Sequence, residues 1–309
     1  MPTARATMGH PVCERFGSPY SLGPGSRAAG TSCLHGRAST TGGVARARRP
    51  LARPRNTLAA ASNRGAKLEP LVPVPPTGRV FRTAYRVRLS DTDATGRLRL
   101  DAVARYLQDA ATDDVEETDW GAPDHLWVLR SVRIDVLAPF LDDREVGILT
   151  WGSGVSALAA SRRWSLTGDS GGSIEVDSTW IHLDGDARPA RIGSGFDDYA
   201  EAAQGRSAST RLTLPGPPEG SPRMPWPLRL TDVDLMGHVN NAAYWSAVEH
   251  CLQGQPPDLR SPVRARLDYR HPLDLGEQVE LALHADGDAC VVGFVASGVV
   301  KAVAGLDAL

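Results

Sequence analysis

An internal duplication constrains this chain more than any other feature of its sequence. The block RLSDTDATGRLRLDA at 88–102 aligns without gaps on RLTDVDLMGHVNNAA at 229–243, a shift of 141 positions. Arg88/Arg229, Leu89/Leu230, Asp91/Asp232, Asp93/Asp234, Gly96/Gly237 and Ala102/Ala243 are identical pairs. Further on, IDVLAPFLDDREV at 134–146 runs parallel to LDYRHPLDLGEQV at 267–279, with Asp135/Asp268, Pro139/Pro272 and Val146/Val279 matching. Two blocks in the same order describe one unit built twice.

Periodicity says what that unit contains. VFRTAYRVRLSD alternates as a strand does, and LDAVARYLQDAATDDVEE places Val103, Tyr106, Leu107 and Ala110 at helical spacing. The runs LWVLRSVRIDVL, EVGILTWGSGV, SRRWSLTG and IEVDSTWIHLD then read as strands separated by Gly- and Asp-containing turns. The second half repeats the order: WPLRLTD as strand, NNAAYWSAVEHCLQ as helix, then RARLDYRHPL, QVELALHAD, ACVVGFVASG and VVKAVAGL as strands. One apolar helix with about five strands is compact when an antiparallel sheet curves around the helix. Trp127, Trp151, Trp164 and Trp180 read as core or pocket wall.

The ends of the unit follow from composition. Residues 1–75 are rich in Ala, Arg, Gly, Ser and Pro, carry eleven Lys/Arg against two Asp/Glu and show no apolar periodicity. Such a segment buries too little to offset its ordering entropy, so it is expected to be a disordered tail. Its Arg-rich, acid-poor character is that of an organellar transit peptide or of an over-extended N-terminus, the expected compartment otherwise being the cytoplasm. The expected units are therefore 1–75 as tail, 76–213 as the first domain, 214–227 as a Pro/Gly/Ser linker and 228–309 as the second domain.

Several function classes drop out. No uncharged apolar run of about 18 residues is present, so no membrane span is expected. The body beyond the tail is acidic, which argues against a nucleic-acid surface. Cys13, Cys33, Cys251 and Cys290 lack the close spacing of metal or redox motifs, and no metal or other cofactor is implied. His125, His182, His271 and His284 show no paired spacing and read as ordinary residues.

The chemistry concentrates in DVDLMGHVNNAAYWSAVE at 232–249. Asp234 and His238 sit in a Gly-containing loop between strand and helix, spaced so that both side chains could converge outside the sheet. A carboxylate beside an imidazole activates water or attacks a carbonyl directly. Gly237 admits close backbone approach, and the N–H groups opening the Asn240/Asn241 helix are placed for an oxyanion. Asn240 or Asn241 also suits the helix cap. The bland alternative is a hydrogen-bonded turn that starts a helix, which Asp93, kept without a histidine in the first copy, favours.

The same run resembles the signature of hot-dog thioesterases, and the tandem copies over residues 80–309 resemble acyl-acyl-carrier-protein thioesterases. The resemblance implies an α+β tandem (double) hot-dog fold, each half an antiparallel sheet wrapped around one long helix, and hydrolysis of fatty acyl thioesters. It implies Asp234, His238, Asn240 and Glu249 as catalytic and Gly237 and Asn241 as substrate-binding, although Glu249 suits a helix-surface charge equally well. Met236 stands where the plant-type family carries Asn, and His271-Pro272-Leu273 follows Tyr269-Arg270 where an acid is usual, leaving Asp274 or Glu277 as displaced substitutes. In the first copy Arg97, Arg99 and Leu100 replace the histidine and both asparagines, which suits a half that shapes the acyl pocket.

The implied partner is acyl carrier protein, with coenzyme A thioesters as the alternative and a non-catalytic acyl-thioester binder as a further one. A hydratase on the same fold would place its histidine five residues after the aspartate, not four. Tandem copies supply the pairing of hot-dog units within a chain, so a monomer suffices and a homodimer is the alternative.

Overall fold

The computed structural model describes residues 71–118, 126–193 and 195–309. Residues 1–70 of the expected disordered tail lie outside the described residues. Its last part is extended on the outer face of the sheet, where the Val72 carbonyl accepts from Arg163 Nε at 3.3 Å.

In chain order the elements are β1 (Val80–Arg86), α1 (Leu100–Glu116), β2 (Leu126–Ala138), β3 (Glu145–Val155), β4 (Ala159–Gly168), β5 (Ser173–Leu183), α2 (Asp197–Ala203), β6 (Arg223–Trp226), α3 (Asn241–Cys251), β7 (Val263–Tyr269), β8 (Val279–Asp286), β9 (Ala289–Ala296) and β10 (Val299–Ala308). The strands make one ten-stranded sheet in the order β1-β3-β4-β5-β2-β7-β10-β9-β8-β6. Read from its centre, either direction gives the same sequence of equivalents, with α1 and α3 in matching places. This is the double hot-dog fold.

The duplication extends to register. Arg82 lies opposite Leu149 in the first half, and their equivalents Arg223 and Ala282 lie opposite each other in the second. At the seam Arg133 faces Arg266, 133 positions away, which is the shift relating 134–146 to 267–279. A pseudo-two-fold axis therefore passes between β2 and β7.

Alternation sorts the sheet's two faces. Ile134, Val136, Trp164, Leu166, Ala265, Leu267, Val292 and Phe294 turn inward and pack on α1 and α3. On α1 the buried stripe is Leu100, Val103, Ala104, Leu107 and Ala110. Both strands expected to lead into these helices are shorter than their alternation suggested: 89–91 and 230–232 form single 3-10 turns. The strand expected at WPLRLTD sits earlier, inside the expected linker, because Pro227 interrupts the run. Pro225 is tolerated within β6 since that strand is an edge of the sheet. Upstream, the connection is strapped to the outer face: Asp268 accepts from the Thr213 and Leu214 N–H groups at 2.9 Å.

The outer face at the seam is charged. Asp135, 1% exposed, receives Arg264 Nε at 2.8 Å and Nη2 at 3.0 Å from the opposite half, and Arg133 Nη2 at 2.5 Å from its own strand. Burial pushes the Asp135 carboxyl upward, but the hydrogen bonds from Arg264 and Arg133 outweigh it and hold the group below its ordinary value. A folded-state value lowered in this way contributes stability above the unfolded carboxylate range, near about 3.9, and that contribution is lost as pH falls through the folded value. Asp135→Asn is expected to lower the unfolding free energy at pH 7 by about 2–4 kcal/mol, with the deficit shrinking in urea titrations at acid pH. An equal deficit at pH 7 and pH 3 would contradict the assignment.

Candidate active site

The loops entering the two helices have the same backbone. Asp93 N–H donates to the Arg97 carbonyl at 2.9 Å and Gly96 N–H to the Asp93 carbonyl at 3.0 Å. Their equivalents are Asp234 N–H to the His238 carbonyl and Gly237 N–H to the Asp234 carbonyl, both at 3.0 Å. Leu98 N–H bonds the Phe140 carbonyl as Val239 N–H bonds that of Leu273. Asp93 Oδ1 accepts from Thr95 N–H at 2.8 Å, and Asp234 Oδ1 accepts from Met236 N–H at 2.9 Å. One oxygen of each aspartate is thus committed to the turn, as the bland reading held, and the difference between the halves lies in the other groups.

In the first loop Asp93 Oδ2 is taken by Arg97 Nε at 3.0 Å. In the second, the partner of Asp234 Oδ2 among the described residues is the Asn240 amide, at 3.4 Å. Asn240 is the cap of α3: its Oδ1 accepts from Ala242 N–H at 2.9 Å while its own backbone is extended. Gly237 has φ +80°, the left-handed region that a side chain disfavours, and nothing lies within 4 Å of the place a Cβ would occupy. Its role here is the turn, since its N–H is spent on Asp234.

His238 does not hydrogen-bond Asp234. Its Nδ1 lies 2.6 Å from Asp274 Oδ1, on an isolated bridge between the two residues. A carboxylate only accepts, so Nδ1 carries the proton and Nε2 is left to face outward on a ring 46% exposed. Asp274 N–H in turn donates to Glu277 Oε2 at 2.8 Å, and Glu277 Oε1 is paired with Lys301 at 2.8 Å. Burial pushes the Glu277 carboxyl upward, and Lys301 and a backbone N–H bring it below its ordinary value. Asp274, one of the two displaced acids after Tyr269-Arg270, is the one that reaches His238. It matches only after a two-residue shift, and the equivalent bridge in the first half joins Arg97 to Leu141.

Glu249 is not at this site. It lies eight residues beyond the start of α3, about 12 Å along the helix, and the antiparallel packing of α1 on α3 carries it to the other helix start. There its Oε1 accepts from the Leu100 N–H at 2.7 Å, and Arg97 Nη1 and Nη2 donate to its two oxygens at 3.1 and 3.0 Å. The carboxylate, on a side chain only 12% exposed, occupies the positive end of α1. A broad cleft of about 1130 Å³ opens there beside Asp93, Arg97, Arg99 and Glu249. Its breadth does not make it the active site, because an internal anion already fills the helix start.

At α3 the equivalent N–H, that of Asn241, has no hydrogen-bond partner among the described residues. Asn241 also borders a void of about 20 Å³ shared with Trp245, Tyr269, Leu107, Trp164 and Trp180. Tyr269 Oη donates to the Asn241 carbonyl at 3.3 Å, and Tyr244 is buried edge-on against Tyr269 and Phe294. Burial pushes the Tyr244 phenol well up, so it stays protonated and belongs to the core.

Fold and site define a double hot-dog thioester hydrolase with one open helix start and one closed. Residues 78–199 match the family model of the acyl-ACP thioesterase N-terminal domain, and residues 217–298 that of the C-terminal domain. The chain is 32% identical over 239 residues to the uncharacterized protein Rv2001 of Mycobacterium tuberculosis, covering 76% of this chain and 94% of that one. Its fold is similar to that of the 12:0-ACP thioesterase from Umbellularia californica (TM-score 0.61, 16% identity, 74% and 96% of the two chains). It is likewise similar to an acyl-ACP thioesterase from Bacteroides thetaiotaomicron (TM-score 0.59, 17% identity, 74% and 97%). The chain belongs to the acyl-ACP thioesterase family and is a thioester hydrolase. No helix among the described residues is long and apolar enough to cross a membrane.

Removing the carboxylate at the closed helix start leaves the Leu100 N–H and Arg97 without their acceptor. Glu249→Ala is therefore expected to lower the unfolding free energy by about 1–3 kcal/mol while thioester turnover persists. Chemical denaturation beside a thiol-release assay checks this, and abolished turnover in a folded variant would return Glu249 to the catalytic set.

Proposed function

We propose that this enzyme releases free fatty acid from acyl-acyl carrier protein, with the reaction carried out at the start of α3. The observation that carries the reading is the unpartnered Asn241 N–H at a helix start beside Asp234 and His238, whose counterpart in the first half binds a carboxylate. A site that holds an anion in one copy suits the oxyanion of a tetrahedral intermediate in the other.

In the proposed reaction Asp234 Oδ2 takes a proton from water, and the oxygen of that water adds to the thioester carbonyl carbon. The carbonyl oxygen gathers negative charge facing the Asn241 N–H. Collapse of the intermediate breaks the C–S bond, and the proton that Asp234 took from the water passes to the departing sulfur, with the unprotonated His238 Nε2 placed to relay it, so that the thiol leaves and Asp234 is ionised again. Asp274 fixes the orientation and the tautomer of the imidazole. Asn240 keeps the helix start and Asp234 Oδ2 in register.

Both carriers present the acyl group on a phosphopantetheine arm, and the carrier protein is favoured over coenzyme A by family membership. Asp234→Asn and His238→Ala are expected to retain the fold and to lose thiol release by about 10²–10⁴-fold. Turnover of one acyl chain on the two carriers should favour the carrier protein in kcat/KM, and a preference for coenzyme A would overturn that choice of substrate. Unchanged turnover in Asp234→Asn would overturn the assigned chemistry.

A further inference from the structure

The pseudo-two-fold axis relates α1 to α3, and with it the residue on each helix that faces the other's start. Glu249 faces the start of α1, and the 141-residue shift makes its counterpart Gln108. Gln108 borders the same small void as Asn241, as the axis requires. It is half-buried, and the described residues give its side-chain amide no hydrogen-bond partner. Its neighbours around that void are Leu107, Leu129, Trp164, Trp180 and Tyr269, which are mostly apolar. The amide is not sealed away from solvent, so a water bound to it can give way to a ligand that reaches the void.

We propose that Gln108, from the first half, is a substrate-contacting residue of the site in the second half, its amide N–H donating to the thioester oxygen alongside the Asn241 N–H. This rests on the thioesterase reading of the α3 start and adds a residue outside the recognised motif. The chemistry explains why the two positions differ. A carboxylate only accepts hydrogen bonds, so Glu249 takes the Leu100 N–H for itself and would repel a second anion. A neutral amide supplies donors and leaves the Asn241 N–H to the substrate. Gln108 also restores a side-chain amide to a site whose loop carries Met236, 50% exposed, where the plant-type family has Asn. One residue of difference between the copies thereby leaves one helix start receptive and the other filled.

The test compares wild type, Gln108→Met, Gln108→Glu and Glu249→Gln as full-length proteins in a thiol-release assay with an acyl thioester, each checked for folding by thermal melting. Gln108→Met keeps the volume and removes the donor, and is expected to lower kcat by roughly 10- to 100-fold with KM changed far less. Gln108→Glu is expected to close the site as Glu249 closes its twin, with turnover lost at pH 8 and partly regained as the pH falls and the new carboxyl protonates. Glu249→Gln is expected to retain turnover. A folded Gln108→Met with wild-type kcat overturns the inference, and so does a Gln108→Glu that works as well as wild type at pH 8. Gln108→Met reads the donor alone, so a Gln108→Glu protein that fails to fold leaves the test intact. Active wild type with an unaffected Gln108→Met sinks this proposal only, whereas wild type that releases no thiol sinks the thioesterase reading with it.

Discussion

The hydrogen bond from the Leu100 N–H to Glu249 crosses from one half of the molecule to the other and occupies the positive end of α1. Two helices packed antiparallel on one sheet make that contact possible, because the residue eight positions into each lies towards the start of the other. The same packing places Gln108 beside α3. Which start stays open then depends on the residue reaching it from across the seam, in addition to the loop that leads into it. The functional asymmetry of the molecule is built on a symmetric backbone.

That symmetry needs a rigid frame. Ten strands in one sheet with matching register in both halves hold α1 and α3 at fixed positions, and the Asp135–Arg264 pair with Arg133 ties the central strands on the outer face. The loops at 91–99 and 232–240 share five equivalent backbone hydrogen bonds, those of the 91/232, 93/234, 96/237, 98/239 and 99/240 N–H groups. Divergence at Arg97/His238, Arg99/Asn240 and Leu100/Asn241 changes chemistry without changing the fold, since the backbone hydrogen bonds that shape both loops do not depend on which side chain is carried.

Most of the fold was legible in the sequence because a repeat with period-two strands leaves few compact arrangements. The bounds of β3 and nearly those of α1 followed from alternation and helical spacing. Three things were not legible. The destination of Glu249 depends on how α3 crosses α1, which no local pattern encodes. Asp274 reaches His238 through a bridge between distant loops, two residues away from where a motif alignment places the acid. Gln108 carries no motif at all, and only applying the repeat's 141-residue shift to Glu249 would have singled it out.

The account rests on one receptive helix start per chain, and the number of substrate-like ligands bound tests that most directly. Titration of the protein with a non-hydrolysable acyl thioether analogue, followed by calorimetry, should give one site per chain, lost in Asp234→Asn/Gln108→Glu and kept in Glu249→Gln. Two equivalent sites per chain, or a single site abolished by Glu249→Gln and untouched by the other pair, would mean that the start of α1 is the one that takes substrate.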